Sequence, residues 1–284
     1  MPTNERNFGA TSTTDEVLAG IDLRGKTALV TGGSGGLGAE TARALAAAGA
    51  KVLLTARDLP RGHEVAATIR TESPDAQVEV RALELYSFAS VRQCAEEFLA
   101  GQQPLDLLVN NAGLGDYGEF LTADWLKTSE MIRLNIEALT HLTHVFLPGL
   151  ITQKGSILNV SSLASILPIP DFSVYAATKA YVTSFSEGLR LEVRDLGVKV
   201  LSVCPGPIKT GFGARACRAS TSKLPVQDAF YIPVEQVVQE SLIALVQGRA
   251  RIYPGLKVAL AAGVIGLLPV VVLRFAMSFR PRKS

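Results

Sequence analysis

Tyr175 and Lys179 stand four residues apart in a segment that reads as helix, so both side chains leave the same face. An ammonium beside a phenol stabilises the phenolate and lowers the pKa of the phenol. A phenol tuned in this way can exchange a proton near neutral pH, as the interconversion of a carbonyl and an alcohol requires. Upstream, Asn135 and Ser162 add an amide and a hydroxyl, and the turn Thr31-Gly-Gly-Ser-Gly-Gly-Leu-Gly38 adds a place for a nucleotide pyrophosphate. Together these residues point to hydride-transfer chemistry.

The elements that must position them alternate. Short β-rich runs at 27–31, 51–56, 77–83, 106–110, 156–160 and 199–204 are separated by helical patterns near 37–48, 60–72, 88–100, 122–147, 173–196 and 234–247. Such alternation predicts parallel βαβ units. A seventh strand at 250–253 completes an α/β fold: a single Rossmann-type, doubly wound parallel sheet of about seven strands flanked by helices. Ala28-Leu29-Val30 and Leu107-Leu108-Val109 are continuously apolar, as strands covered on both faces are. The chain divides into an N-terminal arm (1–23), a catalytic domain (24–255) and an apolar, basic C-terminal appendage (256–284). Residues 211–233 fit neither period, and a segment of that kind beside the last site-bounding strand is expected to be a substrate lid.

With 284 residues, 48% of them hydrophobic, there is ample material for one large core. The net charge of +2 argues against a nucleic-acid partner. Cys94, Cys204 and Cys217 are odd in number and form no close pair in sequence, which fits a reduced cytoplasmic setting. The polar first twenty residues contain no apolar segment of the signal-peptide kind.

The glycine turn lies between a strand and a helix, where glycine allows positive φ and leaves backbone amides open to phosphate. Gly32, Ser34, Gly35, Gly36, Leu37 and Gly38 are therefore candidate cofactor contacts. At the end of the second strand, Ala56 occupies the place of the acid that would bind the ribose hydroxyls of NAD, and Arg57 follows it. A guanidinium can clamp a 2′-phosphate in two-point fashion, so NADP(H) is the expected cofactor. Glu84 and Leu85 follow the third strand and are expected to face the adenine. Asn110, Asn111, Ala112 and Gly113 end the fourth, where small residues let a cofactor lie against backbone.

In combination, Thr31-Gly-x-x-x-Gly-x-Gly38, Asn110-Asn-Ala-Gly113, Asn135, Ser162, Tyr175-x-x-x-Lys179 and Pro205-Gly206 resemble the short-chain dehydrogenase/reductase family, in its NADP(H)-preferring carbonyl reductase-like branch. The likeness covers about residues 24–250. It implies that Ser162, thirteen residues before the tyrosine, binds the substrate oxygen together with Tyr175, the proton donor or acceptor. It implies further that Lys179 binds the nicotinamide ribose and that the main-chain carbonyl of Asn135 holds a proton-relaying water. Pro205, Gly206, Ile208 and Thr210 would close around the nicotinamide. Glu84 departs from the aspartate that the family usually carries there. Residues 8–17 resemble the retinol-dehydrogenase-like branch, whereas the chain as a whole is more similar to bacterial reductases. The resemblance also implies a homodimer or homotetramer formed through helices 122–147 and 173–196.

Leu114, Tyr117, Leu163, Leu167, Ile208 and Phe212 are candidate substrate-side residues, and their apolar character implies a hydrophobic ketone, aldehyde or secondary alcohol. The alternative is a dinucleotide-sensing or scaffold protein of the same fold. His141 and His144 have no carboxylate or thiol at ligand spacing, so no metal is assigned. In the appendage, 258–273 is a run of sixteen uncharged residues broken by Pro269, too short for a straight span of about 20 residues. Arg249, Arg251 and Lys257 precede it and Arg274, Arg280, Arg282 and Lys283 follow. Basic flanks belong on the cytosolic side. A helical hairpin, either dipping into the cytosolic membrane surface or packing on another subunit, satisfies both flanks.

Overall fold

The computed structural model describes residues 22–218 and 230–279. Most of the expected N-terminal arm, the middle of the expected lid and the last five residues lie outside the described residues. In chain order the elements are β1 (Thr27–Val30), α1 (Gly36–Ala47), β2 (Lys51–Ala56), α2 (Leu59–Glu72), β3 (Val78–Ala82), α3 (Phe88–Ala100) and β4 (Leu107–Asn110). There follow α4 (Trp125–Ile132), α5 (Leu139–Gln153), β5 (Ser156–Val160), α6 (Ser173–Val193), β6 (Lys199–Val203) and α7 (Gly211–Ala216). The C-terminal part holds α8 (Val234–Val246), β7 (Arg251–Ile252), α9 (Leu256–Leu267) and α10 (Val270–Ser278).

All seven strands are parallel, in the order β3-β2-β1-β4-β5-β6-β7. Leu29 on the central strand pairs with Leu53 on one side and Leu108 on the other. Because side chains alternate along a strand, Ala28, Val30, Val52, Leu54 and Val109 enter one apolar layer while Leu29, Leu53 and Leu108 enter the opposite one. Helices α1, α2 and α8 cover the first layer through Leu45, Ile69 and Val238. Helices α3, α5 and α6 cover the second through Phe98, Phe146 and Leu189. Both faces being dry, the strands need no polar alternation, which is why they read as unbroken apolar runs.

Local chemistry fixes where several helices start. Asp58, Ser87 and Asp124 each accept a hydrogen bond from a backbone amide of the first turn of α2, α3 and α4. Two expectations change. The predicted helix over 122–147 is a composite: α4 passes into a π turn at Arg133–Ala138 before α5 carries on to Gln153. The start of the irregular 211–233 segment is the short helix α7, capped by the Thr210 hydroxyl.

One buried polar network crosses the sheet. Asn110 Nδ2 donates to Asn159 Oδ1 at 2.8 Å and to Thr143 Oγ1 at 3.1 Å, and Asn159 Nδ2 donates to Ser186 Oγ at 2.9 Å. These bonds pin β4 and β5 to α5 and α6, because a buried amide left unpaired is costly.

Phe146 is buried between sheet and α3, its ring edge-on to Phe98 at 5.3 Å. Phe146→Ala is expected to destabilise the fold by about 3–5 kcal/mol through the cavity it leaves. Urea denaturation should show a lower midpoint with an unchanged slope.

Candidate active site

The strand order reverses at β1, since β2 lies on one side of it and β4 on the other. At such a switch point the loops leaving the carboxyl ends of neighbouring strands part and open a crevice. The glycine turn, the Asn111–Gly113 loop, the Ser162 turn and the Pro205–Thr210 loop all leave strand ends on this edge.

The glycine turn suits a dinucleotide pyrophosphate. Gly35 precedes α1 with no side-chain cap, and the first turn of α1 carries no acid, so no side chain of the cap occupies its leading amides. Gly32 and Gly36 have φ of +66° and +56°, which side chains resist. A Cβ on Gly38 would fall on the Gly32 carbonyl oxygen and within 2.5 Å of Asn111 Nδ2. Thr31 braces the turn from behind: its hydroxyl accepts the amides of Asn111 and Ala112, and Asn111 Nδ2 returns to the Thr31 carbonyl at 2.8 Å. Asn111 is thus the amide that serves the turn, while Asn110 faces the buried network and not the cleft. Leu37 packs into the core beneath, and the Thr210 side chain closes over Gly36 from the far bank.

Arg57 is exposed at the end of β2, and its guanidinium lies over the Tyr86 ring, 5.6 Å from the centroid. Nothing in the sequence singled out Tyr86; only the pairing of β2 with β3 brings the two loops together. Glu84 is half-buried and its carboxylate accepts the Tyr86 amide at 3.4 Å, while Leu85 packs against the α3–α5 core layer.

Deeper in the crevice, Tyr175 and Lys179 leave the same side of α6 and are both buried. The Lys179 Nζ lies 5.8 Å from the Tyr175 ring centroid and donates to the Val160 carbonyl at 2.8 Å. Burial pulls the Lys179 ammonium down to about 8. Burial also pushes the Tyr175 phenol up to about 12, and a hydrogen bond with Ser162 opposes this. The shift thus runs opposite to the lowering expected from a neighbouring ammonium: loss of water around the phenol outweighs its hydrogen bond with Ser162.

Ser162 caps a short 3-10 turn at Leu163–Ile166, its Oγ accepting the Ala164 amide at 3.1 Å. Ser161 faces inward, its hydroxyl bound to the Lys179 carbonyl at 2.8 Å and to Thr183 at 2.7 Å. Ser162 is thus the serine that meets the phenol. Asn135 sits in the π turn, and its side chain both accepts from the Leu114 amide and donates to the Leu114 carbonyl. It also donates to Thr178 Oγ1 at 2.9 Å, locking the loop after β4 onto α6. Gly113 has no side chain where a methyl would stand 3.4 Å from the Lys179 ammonium.

Leu114, Tyr117 and Phe212 gather around Tyr175. Phe172, unmarked in the sequence, stacks on Tyr175 at 4.3 Å and 22°, and Phe212 tilts against it at 5.5 Å. Leu163 and Ile208 pack instead into the α1–α8 core layer, and Leu167 lies half-buried outside the aromatic group. Pro205 accepts the Leu163 amide through its carbonyl, and Gly206 passes so close to Val258 of α9 that a Cβ would meet it at 2.7 Å. A second anchor escaped sequence reading: Asp116 is buried and paired with Lys127 at 3.0 Å and Arg218 at 2.6 Å, tying the end of α7 to the β4 loop. Its carboxyl is held below the usual range by these cations, despite burial. His141 packs beside Phe88 and His144 is exposed.

The model of a family described as short chain dehydrogenase matches residues 26–220. An uncharacterized oxidoreductase of Staphylococcus saprophyticus is 32% identical over 209 residues, covering 73% of this chain and 89% of the relative. Retinol dehydrogenase 11 of Homo sapiens is 35% identical over 208 residues, 67% of this chain and 63% of that protein, so the chain spans under two thirds of its length. A solved short-chain dehydrogenase from Sphingobium yanoikuyae, in complex with NADPH, has a TM-score of 0.76 at 29% identity, over 91% of this chain and 98% of that one.

Two variants test this geometry. Gly38→Ala should cost about 1–3 kcal/mol of stability, because backbone and not a flexible side chain fills the space. For Lys179, the folded value of about 8 lies below the ordinary lysine value of 10.5. Between those pH values the unfolded chain holds a proton that the folded chain has lost, so folded-state stability rises with pH across that window. Below it the folded chain carries a desolvated ammonium at a cost of up to about 3 kcal/mol. Lys179→Met should accordingly be more stable than the parent at pH 7, with the gap closing as pH rises from about 8 towards 10.5. Urea midpoints across that range would read the effect, and a pH-independent gap would refute it.

Proposed function

This chain belongs to the short-chain dehydrogenase family, and from that premise we propose that it is an NADP(H)-dependent carbonyl reductase or alcohol dehydrogenase acting on a hydrophobic ketone, aldehyde or secondary alcohol. Bound nicotinamide would supply or accept the hydride. The chain's own groups do the rest. The Tyr175 phenol, held protonated by burial, gives its proton to a carbonyl oxygen during reduction and takes it back during oxidation. Ser162, hydrogen-bonded to that phenol, is placed to share the same oxygen. Lys179 places a cation beside a phenolate as it forms and binds the ribose. Asn135 fixes the loop that carries Leu114 and lies in a π turn, a geometry that can free a main-chain carbonyl for a relaying water.

The observation that carries this reading is a water-excluded phenol, bonded to a serine and flanked by a buried amine, on the same sheet edge as an uncapped glycine turn. Arg57 supports the preference for a 2′-phosphate, with Tyr86 as the plate that keeps its guanidinium extended. Leu114, Tyr117, Phe172 and Phe212 favour an apolar substrate. Trp125, Leu126 and Leu191 are exposed on α4 and α6 and support self-association through those helices. A cytosolic supply of NADPH fits this chemistry. The sensor alternative leaves unexplained why Tyr175 is paired with a hydroxyl and an amine.

Purified protein with NADPH and a panel of aryl and aliphatic ketones should consume the nicotinamide absorbance. Tyr175→Phe should lower kcat by about 10²–10⁴-fold with NADPH affinity kept. Arg57→Ala should raise KM for NADPH at least about tenfold while leaving NADH little changed, as loss of a charge-assisted phosphate contact does. Cofactor binding with no turnover on any carbonyl would sink the enzyme reading in favour of the sensor.

A further inference from the structure

The two C-terminal helices bury little of what they carry. On α9, Val258 and Ala262 turn inward, Val258 against Gly206, and the helix packs on the turn that follows Ser162. Its other side presents Leu256, Leu260, Val264 and Leu267, a stripe spaced four, four and three residues apart, with Leu260 62% and Leu267 86% exposed. After Pro269, α10 adds Val271 and Phe275, 71% and 66% exposed, and Phe279 follows its end. So much contiguous apolar surface on a folded domain marks something that covers it.

The charge distribution says what. After Glu240 the chain contains no Asp or Glu, yet holds Arg249, Arg251, Lys257, Arg274, Arg280, Arg282 and Lys283. Residues 1–240 carry 21 cations against 26 anions, so a chain of net charge +2 is acidic in its body and strongly basic at this end. A second copy docking this face on itself about a two-fold axis would bring the exposed Lys257 and Arg274 towards their counterparts, with no Asp or Glu on either helix to offset them. A surface that is apolar inside and negatively charged at its rim matches instead. At about 1.5 Å per residue α9 is about 18 Å long, too short to cross a hydrocarbon core of about 30 Å. Among the described residues no helix is long and apolar enough to cross a membrane.

We propose that α9 and α10 form an in-plane docking hairpin for an anionic lipid surface, with the Leu260–Leu267 and Val271–Phe275 side chains immersed at the level of the headgroups and Lys257 and Arg274 on the phosphates. Such binding combines buried apolar area with headgroup attraction and is reversible.

Flotation of the full-length protein with vesicles tests the assignment. Vesicles of phosphatidylcholine with about one third phosphatidylglycerol should carry the protein upward, pure phosphatidylcholine vesicles much less, and raised salt should weaken the first. Leu260→Ser/Val271→Ser/Phe275→Ser should abolish flotation while circular dichroism and the melting curve show a folded chain. The single change Leu267→Ser, at the exposed end of α9, provides a milder variant should the triple one fold poorly. Arg274→Gln should weaken binding to the anionic vesicles about fivefold, the effect of one cation at such a surface. No flotation with anionic vesicles at low salt, or undiminished flotation of the folded triple variant, would overturn the proposal. A triple variant that instead turned an oligomer into a monomer, with no vesicle binding by the parent, would overturn it in favour of a subunit contact.

Discussion

An amine can lose its water only where something else accepts its hydrogen bonds, and the buried Lys179 finds that partner in the carbonyl at the very end of β5. The requirement reaches outward from there. The strand must stop at Val160 for its carbonyl to be exposed to α6 at all. Helix α6 must lie close, so Ser161 bonds the Lys179 carbonyl and Thr183. The loop after β4 comes close as well, a Cβ on Gly113 reaching contact distance of the Lys179 ammonium. Asn135 then clamps the loop to α6 through Leu114 and Thr178, so the pocket around the amine has rigid walls on three sides.

The same dryness sets the electrostatic character of the pair. In water the ammonium would dominate its neighbour and acidify the phenol. Here both groups have lost hydration, and each is pushed towards its neutral form. A site of this kind is poised: a modest charge arriving nearby shifts both groups strongly, because little solvent remains to screen it. The glycine turn works by the opposite device, leaving amides bare where a ligand can reach them.

Much of this was legible in the residues because it depends on local spacing. Tyr175 and Lys179 share a helical face, and Gly32 and Gly36 occupy a strand-to-helix turn, whatever the rest of the chain does. The strands could be read because a doubly covered parallel sheet leaves continuous apolar runs. What escaped was set by contacts remote in sequence. Phe172 reaches Tyr175 through the turn that starts α6, Tyr86 meets Arg57 because β2 and β3 are neighbours, and Asp116 finds Arg218 across about a hundred residues. Asn110 and Asn111, adjacent in sequence, point to opposite sides of the strand end, a division that no motif spells out. The burial that raises the Tyr175 phenol is likewise a property of the assembled pocket and not of the local spacing.

The π turn at Arg133–Ala138 makes the helix hold one residue more than a regular spiral of the same length would. That surplus unit offsets everything after it by about a quarter of a rotation, so Leu142 and Phe146 still reach the core although Asn135 is turned to face Leu114. The helix therefore serves two masters, one on each side of the offset. Winding the same residues into an ideal α-helix would turn the later side chains by about that angle relative to Asn135, and the amide and the aromatic ring could not both find their places.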